Sequence, residues 1–413
     1  MGNRFSTNTK VLQRIDALAV PMVCALLTLW RKVSDLFLSR DTDREPRRVL
    51  FLKLAEQGST VLAYEAVKRA VDRVGKEHVY FLLFEENRFI LDALNLVPHD
   101  NVLAIRTKSP LTMMLGALQR LWQIRRIGID TVIDMEFFAR SSAVISYLTG
   151  ARVRVGFHAW FGEGPYRGNL FTHRVMYNAH LHTSRLFVSL VEALNNPPEK
   201  FPAYGFSPPE NPGLPQFSPS AAERDEALRI VSELVGNQPR RLILLNANAS
   251  DLLPLRRWES ANYVELAKQL LAKFPDISIA FTGAPDEALK VTELVKLIGS
   301  DRVFCLAGKT TLRQLLIIYG LAEILVTNDS GPAHFAALTP IDTVVLFGPE
   351  TPLLFGALTP RNHNLWARTS CSPCVNAWNN RQTACRDNIC MQLISVNQVF
   401  ETVCQVYQNR IRQ

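Results

Sequence analysis

Long hydrophobic runs are missing from this 413-residue chain, and that absence limits what it can be. The uncharged stretch at 17–30, ALAVPMVCALLTLW, has fourteen residues, too few to cross a bilayer that needs about 20. No small-residue cleavage site with a polar mature start follows it, which argues against a secretory signal. Nor is there a run of basic residues interleaved with aromatics, so the net charge of +8 points away from nucleic acid and toward an anionic substrate or a membrane surface. What is present is ordinary globular composition, 47% hydrophobic and 20% charged, in a chain long enough for two domains with real cores.

The stretch 17–30 follows Lys10, Arg14 and Asp16, contains Pro21 and precedes Arg31 and Lys32. Its pattern predicts a monotopic helix or re-entrant hairpin, bent at Pro21, with Trp30 and the basic pair at lipid headgroups. The plainer alternative is a helix packed on the protein's own surface. A polar segment at 41–48 reads as a linker.

Beyond it, compact apolar runs alternate with residues at helical spacing. Strands are expected at 49–54, 79–84, 101–105, 131–135 and 152–157, with helices over 63–74, near 87–94, within 111–126 and over 140–148. Eight prolines between 195 and 220 mark an interdomain connection. A second series follows, with strands at 242–246, 277–282, 302–306, 324–327 and 343–347, separated by helices at 263–274, 287–298 and 312–319. Such alternation implies parallel sheets wrapped by helices, with ligands at the carboxyl ends of the strands. The expected divisions are therefore 1–45, a membrane segment and linker; 46–200, a first Rossmann-like domain; 201–220, a proline-rich linker; and 221–413, a second Rossmann-like domain ending in a cysteine-rich segment.

The second half turns on 326–337, VTNDSGPAHFAA, where an apolar strand ends and a helix begins. Ser330 can cap that helix, Pro332 suits its first turn, and Gly331 admits close backbone approach. Free N–H groups at such a terminus attract phosphate. The segment Asp329-Ser-Gly-Pro-Ala-His334, followed by Thr343-Val-Val-Leu-Phe-Gly-Pro-Glu-Thr-Pro352, resembles the signature of the heptosyltransferases, the glycosyltransferases of family nine. The similarity runs from about residue 48 to about residue 403 and is densest here and at 371–391. It implies a GT-B fold, two Rossmann-like domains facing each other across a cleft. It also implies an inverting, metal-independent transfer without a cofactor, from a nucleoside-diphosphate sugar such as ADP-heptose, to a lipopolysaccharide-type or other glycan at the cytoplasmic face of the inner membrane.

Residue by residue, Arg256-Arg-Trp258 matches the family's basic segment that contacts donor phosphate, and a guanidinium can bond two phosphate oxygens at once. The loop 246–250 offers Asn248 and Ser250 to the same group, and Gly283-Ala-Pro-Asp-Glu287 matches the element whose acid binds the nucleoside. Asp329, Ser330 and Gly331 complete the expected donor contacts, with His334 beside the leaving group as a catalytic candidate. Relatives carry Lys-x4-Gly-Asp after the first strand, the aspartate acting as base. This chain has Lys53, Gly58 and Ser59, so lysine and glycine agree, and they join the expected donor contacts, but serine replaces the acid. Glu56 in the same turn is the expected catalytic replacement.

The aromatic stretch 157–182 offers Trp160, Tyr166 and Arg167 to an acceptor sugar. Cys371, Cys374, Cys385 and Cys390 have a spacing that admits zinc or disulfides. In the reducing cytoplasm implied by the resemblance, structural zinc or plain thiols remain. Two rival readings are a nucleotide-sugar epimerase or hydrolase, and a membrane-associated binding protein that has lost the usual catalytic acid.

Overall fold

The protein is described by a computed structural model covering residues 14–37, 45–160, 164–200, 213–235, 241–250, 253–379 and 381–412. It divides into two compact units. The first holds the described residues up to 200 together with Val375–Thr383, and the second holds Gly213–Cys374 and the residues from Ala384 onward. The sequence reading gave the whole of 221–413 to the second domain, whereas Val375–Thr383 packs within the first. Residues 201–212 of the expected linker lie outside the described residues.

In the amino-terminal unit, helix α1 (Val20–Asp35) precedes strand β1 (Val49–Leu52). Helices α2 (Gln57–Leu62) and α3 (Tyr64–Val74) lead to β2 (Val79–Phe84), and α4 (Arg88–Leu94) leads to β3 (Val102–Ile105). Helix α5 (Pro110–Ile127) then crosses back to β4 (Thr131–Asp134). Helix α6 (Arg140–Leu148), β5 (Val153–His158), β6 (His173–Met176) and α7 (Thr183–Glu192) complete the unit. All six strands are parallel in the order β3-β2-β1-β4-β5-β6. Central strands of such a sheet are covered on both faces and so read as unbroken apolar runs. Val49, Leu50, Phe51 and Leu52 are accordingly all buried.

The carboxy-terminal unit repeats the plan. Helix α8 (Ala221–Val235) precedes β7 (Arg241–Asn246), α9 (Ser260–Lys273), β8 (Ile277–Phe281), α10 (Ala288–Ile298) and β9 (Val303–Cys305). Then come α11 (Leu312–Leu321), β10 (Ile324–Asn328), α12 (Gly331–Ala336), β11 (Asp342–Phe347), α13 (Pro352–Phe355) and β12 (Asn362–Trp366). Helices α14 (Ile389–Gln392) and α15 (Val396–Ile411) close the chain. The strands are again parallel, ordered β12-β11-β10-β7-β8-β9. Its core joins β7, β8, β10 and β11 to α9 and α15 through Leu266, Leu270, Val399 and Tyr407.

Two strands escaped the sequence reading: β6, inside the stretch taken as an aromatic loop, and β12. Among the described residues no helix is long and apolar enough to cross a membrane. Pro21 sits in the first turn of α1, where its missing N–H costs nothing, and the backbone turn falls just before it at Ala19.

Candidate functional site

In a parallel sheet every strand ends on the same edge, so residues just past the carboxyl ends converge. In the carboxy-terminal unit the convergent strands are β7, β8 and β10. Asn246 donates from Nδ2 to Thr282 Oγ1 at 2.9 Å, and Asn328 accepts at Oδ1 from the Trp258 backbone N–H at 3.0 Å and the Tyr263 hydroxyl at 3.2 Å. The Nδ2 of Asn328 reaches back to the Asn248 carbonyl at 3.2 Å. This network fixes the loop that carries Asn248. The Asn248 Nδ2 is itself buried with no hydrogen-bond partner among the described residues, an arrangement that costs about 1–3 kcal/mol unless something accepts from it. A Cβ at Gly283 would lie 2.9 Å from that nitrogen, so glycine keeps the space around the amide open.

Arg256, in the same unit, has Nη1 3.3 Å from Glu350 Oε2 and 3.9 Å from Asp329 Oδ2. Asp329 and Glu350 are almost wholly buried. Burial pushes both carboxyls above their ordinary range, Glu350 well above it because Asp329 lies beside it, while the Arg256 guanidinium pulls both down. Trp258 anchors the arginine's turn by donating from its indole to the Ile394 carbonyl at 2.8 Å, and Asn388 donates to the carbonyls of Leu255 and Arg257.

Glu350 was missed as a site residue although Gly-Pro-Glu-Thr-Pro was read as part of the signature. Its position just beyond the β11 strand end was the available signal. The cysteine-rich segment supports its loop. Ser372 donates to the Gly348 carbonyl at 2.5 Å, the Cys374 N–H donates to the Pro349 carbonyl at 3.0 Å, and Met391 packs where a Gly348 Cβ would be. All four cysteines are free thiols, and among the described residues no group of three or more His, Cys, Asp or Glu is arranged to hold a metal.

Several expected donor residues behave differently in detail. Ser330 leads α12, but its hydroxyl donates to the Asn328 carbonyl at 3.1 Å instead of capping the helix. Gly331 begins that helix and His334 is buried within it. Glu287 uses one oxygen to accept from the Ala284 N–H at 2.7 Å, closing the turn before α10. Ser250 is exposed at the loop end.

Lys53, Gly58 and Ser59, grouped above with the donor contacts, belong to the amino-terminal unit. There Lys53 is buried, 3.2 Å from Glu136 and 3.5 Å from Glu56. Burial lowers its ammonium pKa, with Glu136 opposing the shift. Glu136 also accepts from the Leu54 N–H at 2.7 Å and the Ala55 N–H at 3.2 Å, so it holds both the lysine and the backbone after β1.

Glu56 itself has a left-handed backbone, φ 70°, a strain of about 1–3 kcal/mol that clusters at functional turns. Its side chain is about one-third exposed, accepts from Ser59 Oγ at 3.4 Å and pairs with Arg381. The carboxylate thus reaches over the serine that stands where relatives carry the acid. Burial lowers the Arg381 guanidinium to about 10. Glu136 was readable as a carboxylate just past β4; Arg381, from the far end of the chain, had no sequence signal.

Arg167 corrects the acceptor expectation. It is buried, bonded to Asp134 Oδ2 at 2.6 Å, Ser142 Oγ at 2.8 Å and the carbonyls of Phe137 and Phe157. Burial raises the Asp134 carboxyl to about 6 against the pull of this arginine. Arg167 therefore ties the strand ends together internally. Trp160 stacks beneath Arg174 at 4.5 Å, and Tyr166 is half exposed. Trp378, returning with Val375–Thr383, stacks on Phe138 and meets Tyr177 edge-on, each at 5.0 Å.

Two parallel six-stranded units, one gathering an arginine, buried acids and an unsatisfied amide at its strand ends, define a doubled Rossmann-type protein with an anion-receptive edge. Its chain belongs to glycosyltransferase family 9 (heptosyltransferase), whose family model matches residues 118–384, well over half of it. Lipopolysaccharide heptosyltransferase 2 of Salmonella typhimurium is 37% identical over 101 residues, 24% of this chain and 29% of that protein. The chain thus spans less than a third of that relative's length. The glycosyl transferase of family 9 from Veillonella parvula superposes with a TM-score of 0.68 at 17% identity, covering 89% of this chain and 100% of that one. The E. coli ADP-heptose LPS heptosyltransferase II gives 0.64 at 18%, covering 88% and 99%. At these identities the two structures establish the shared fold.

Proposed function

We propose that this protein is an inverting glycosyltransferase that moves heptose from a nucleoside-diphosphate sugar to a hydroxyl of a lipopolysaccharide-type glycan. The observation that carries this reading is Arg256, held by Asp329 and Glu350 past the ends of β10 and β11, in the same unit as the unsatisfied Asn248 amide past β7 and inside the region matched by the family model. As the donor's anomeric C–O bond breaks, charge builds on the departing diphosphate. A planar guanidinium and a fixed amide are suited to receive it. The buried acids hold Arg256 in place, and His334 and the turn at Ser330 and Gly331 flank the same strand end.

In this scheme Glu56 takes the acceptor hydroxyl's proton while that oxygen bonds to the anomeric carbon. The bond electrons leave with the nucleoside diphosphate, and the proton passes from Glu56 to solvent afterwards. The reach of its carboxylate to Ser59 supports the assignment, as does its strained backbone. Such a base contributes about 10²–10⁴-fold. The donor belongs to the carboxy-terminal unit and the acceptor to the amino-terminal one. As the family resemblance implies, the reaction needs neither metal nor cofactor, and it takes place at the cytoplasmic face of the inner membrane, with α1 as the lipid contact.

The test is ADP-heptose turnover with and without a heptose-deficient lipopolysaccharide acceptor. Acceptor-dependent release of ADP, reduced about 100-fold or more in Glu56→Gln with donor binding intact, is expected. Turnover without acceptor would instead mean a hydrolase or epimerase. A second reading, a sugar-nucleotide-binding protein without catalysis, is favoured by the engagement of Glu56 with Lys53 and Arg381. Donor binding with neither transfer nor hydrolysis would establish it.

A further inference from the structure

Helix α5 is apolar on the side that faces away from the protein. Leu111, Met114, Leu115, Leu118 and Trp122 are each more than half exposed, and at 100° per residue they fall within a stripe about 100° wide. The opposite side is already satisfied: Ile124 is buried, and Met113 and Ala117 pack onto Leu50, Leu103 and Ile105. A monomeric protein seldom exposes so continuous a stripe without a use for it.

Helix α1 has the same construction. Cys24, with Val20 and Leu27, packs against Ala143, Leu170 and Phe171. The far side presents Met22, Leu26, Leu29, Trp30 and Val33 to solvent. The two helices share one layer. The chain moves outward from β1 to β3 and then reverses through α5, which puts α5 and α6 on one face of the sheet by the right-handed crossover rule. Ile145 of α6 joins the cluster beneath α5, and α1 packs on α6.

Charge selects the occupant. Between residues 106 and 128 there are five basic residues, Arg106, Lys108, Arg120, Arg125 and Arg126, and no acidic one. Arg125 and Arg126 are exposed at the end of the stripe, and Arg126 stacks over the Trp122 ring at 4.6 Å. Helix α1 carries Lys32 and Arg31, the latter paired with Asp35 at 3.1 Å. Arg106 is partly engaged by Glu85 at 3.6 Å, and the remainder leave the helix strongly positive. An apolar stripe rimmed by cations suits an interfacial helix on an anionic bilayer.

We propose that α5 is a second lipid-contacting element, lying in the headgroup region of anionic membranes beside α1. This rests on the membrane reading of α1 given above and extends it to a helix that no sequence feature had singled out.

The full-length protein would be sedimented with vesicles of phosphatidylethanolamine and phosphatidylglycerol, and with neutral phosphatidylcholine vesicles. The combined variant Leu115→Ser, Leu118→Ser, Trp122→Ser should bind anionic vesicles about tenfold or more weakly, and Arg125→Glu with Arg126→Glu should remove the preference for anionic lipid. Circular dichroism and nucleoside-diphosphate binding should be unchanged, and brominated lipid should quench a fluorescence signal that Trp122→Phe removes. Unaltered binding by the α5 variants, with loss in Leu26→Ser, Leu29→Ser, would overturn the role of α5 and leave that of α1 standing. Failure of the unmodified protein to bind any vesicle would overturn both. Self-association lost in the α5 variants, without lipid quenching, would reassign the stripe to a second copy of the chain.

Discussion

The charge clusters at the two sets of strand ends are balanced differently. In the amino-terminal unit Lys53 and Arg381 meet Glu56 and Glu136, cation for anion. In the carboxy-terminal unit Arg256 meets both Asp329 and Glu350. The first set pairs its charges and holds a carboxylate in one position. The second sets two buried acids on one guanidinium, and burial raises both carboxyls. A fixed arrangement suits a group that must be aimed, and an adjustable one suits a site that receives an anion.

The most damaging way to break this contrast is Arg256→Ala. Removing the cation from a donor-phosphate site should lower kcat/KM by about 10²–10³-fold, with donor affinity measured by calorimetry falling alongside. Arg256→Lys should recover only part of the loss, since an ammonium lacks the two-pronged geometry. In the balanced cluster, Glu136→Gln takes away the main partner of a buried lysine and weakens two backbone anchors. Its cost, about 3–5 kcal/mol by chemical unfolding, is that of breaking a buried pair. If the loss were below 1 kcal/mol, Glu136 would not be the organising group of that turn.

A smaller effect tests the support of Glu350. A Cβ at position 348 would lie 2.5 Å from Met391 Sδ, so Gly348→Ala should destabilise by about 1–3 kcal/mol through overpacking. The flexibility of methionine favours the lower end of that range, and a scanning calorimetry trace would show it.

The mildest and most specific test is pH. Because the Glu350 carboxyl is raised in the folded protein, the folded state binds more protons than the unfolded chain above the ordinary glutamate value of 4.5. Its contribution to stability is therefore complete below that value and declines as pH rises toward the raised one. Glu350→Gln should flatten this decline. Chemical unfolding at a series of pH values measures it. An unchanged pH profile would mean that the pair holds no proton.

Legibility followed burial. Strands β1 and β10 were plain in the sequence because both of their faces are covered, leaving unbroken apolar runs. Strands β6 and β12 lie at sheet edges, carry HRVM and NHNLW, and are only partly buried, so no alternation or apolar run betrayed them. Arg256 and Asp329 were found because they sit in local motifs. Arg167 was misread because an arginine in an aromatic, glycine-bearing stretch looks exposed, and only the closure of Asp134 and Ser142 around it reveals a core residue.

The order of strands and helices, the two α/β units and the family were fixed by local pattern, since a buried parallel strand and an amphipathic helix each write their environment into consecutive residues. The pairing of Glu56 with Arg381, the sharing of Arg256 by two acids and the common layer of α1 and α5 were decided only by the tertiary structure. Each of these brings together groups from distant parts of the chain, and the free energy of burying charge or apolar surface depends on what the fold sets beside it, which no local pattern records.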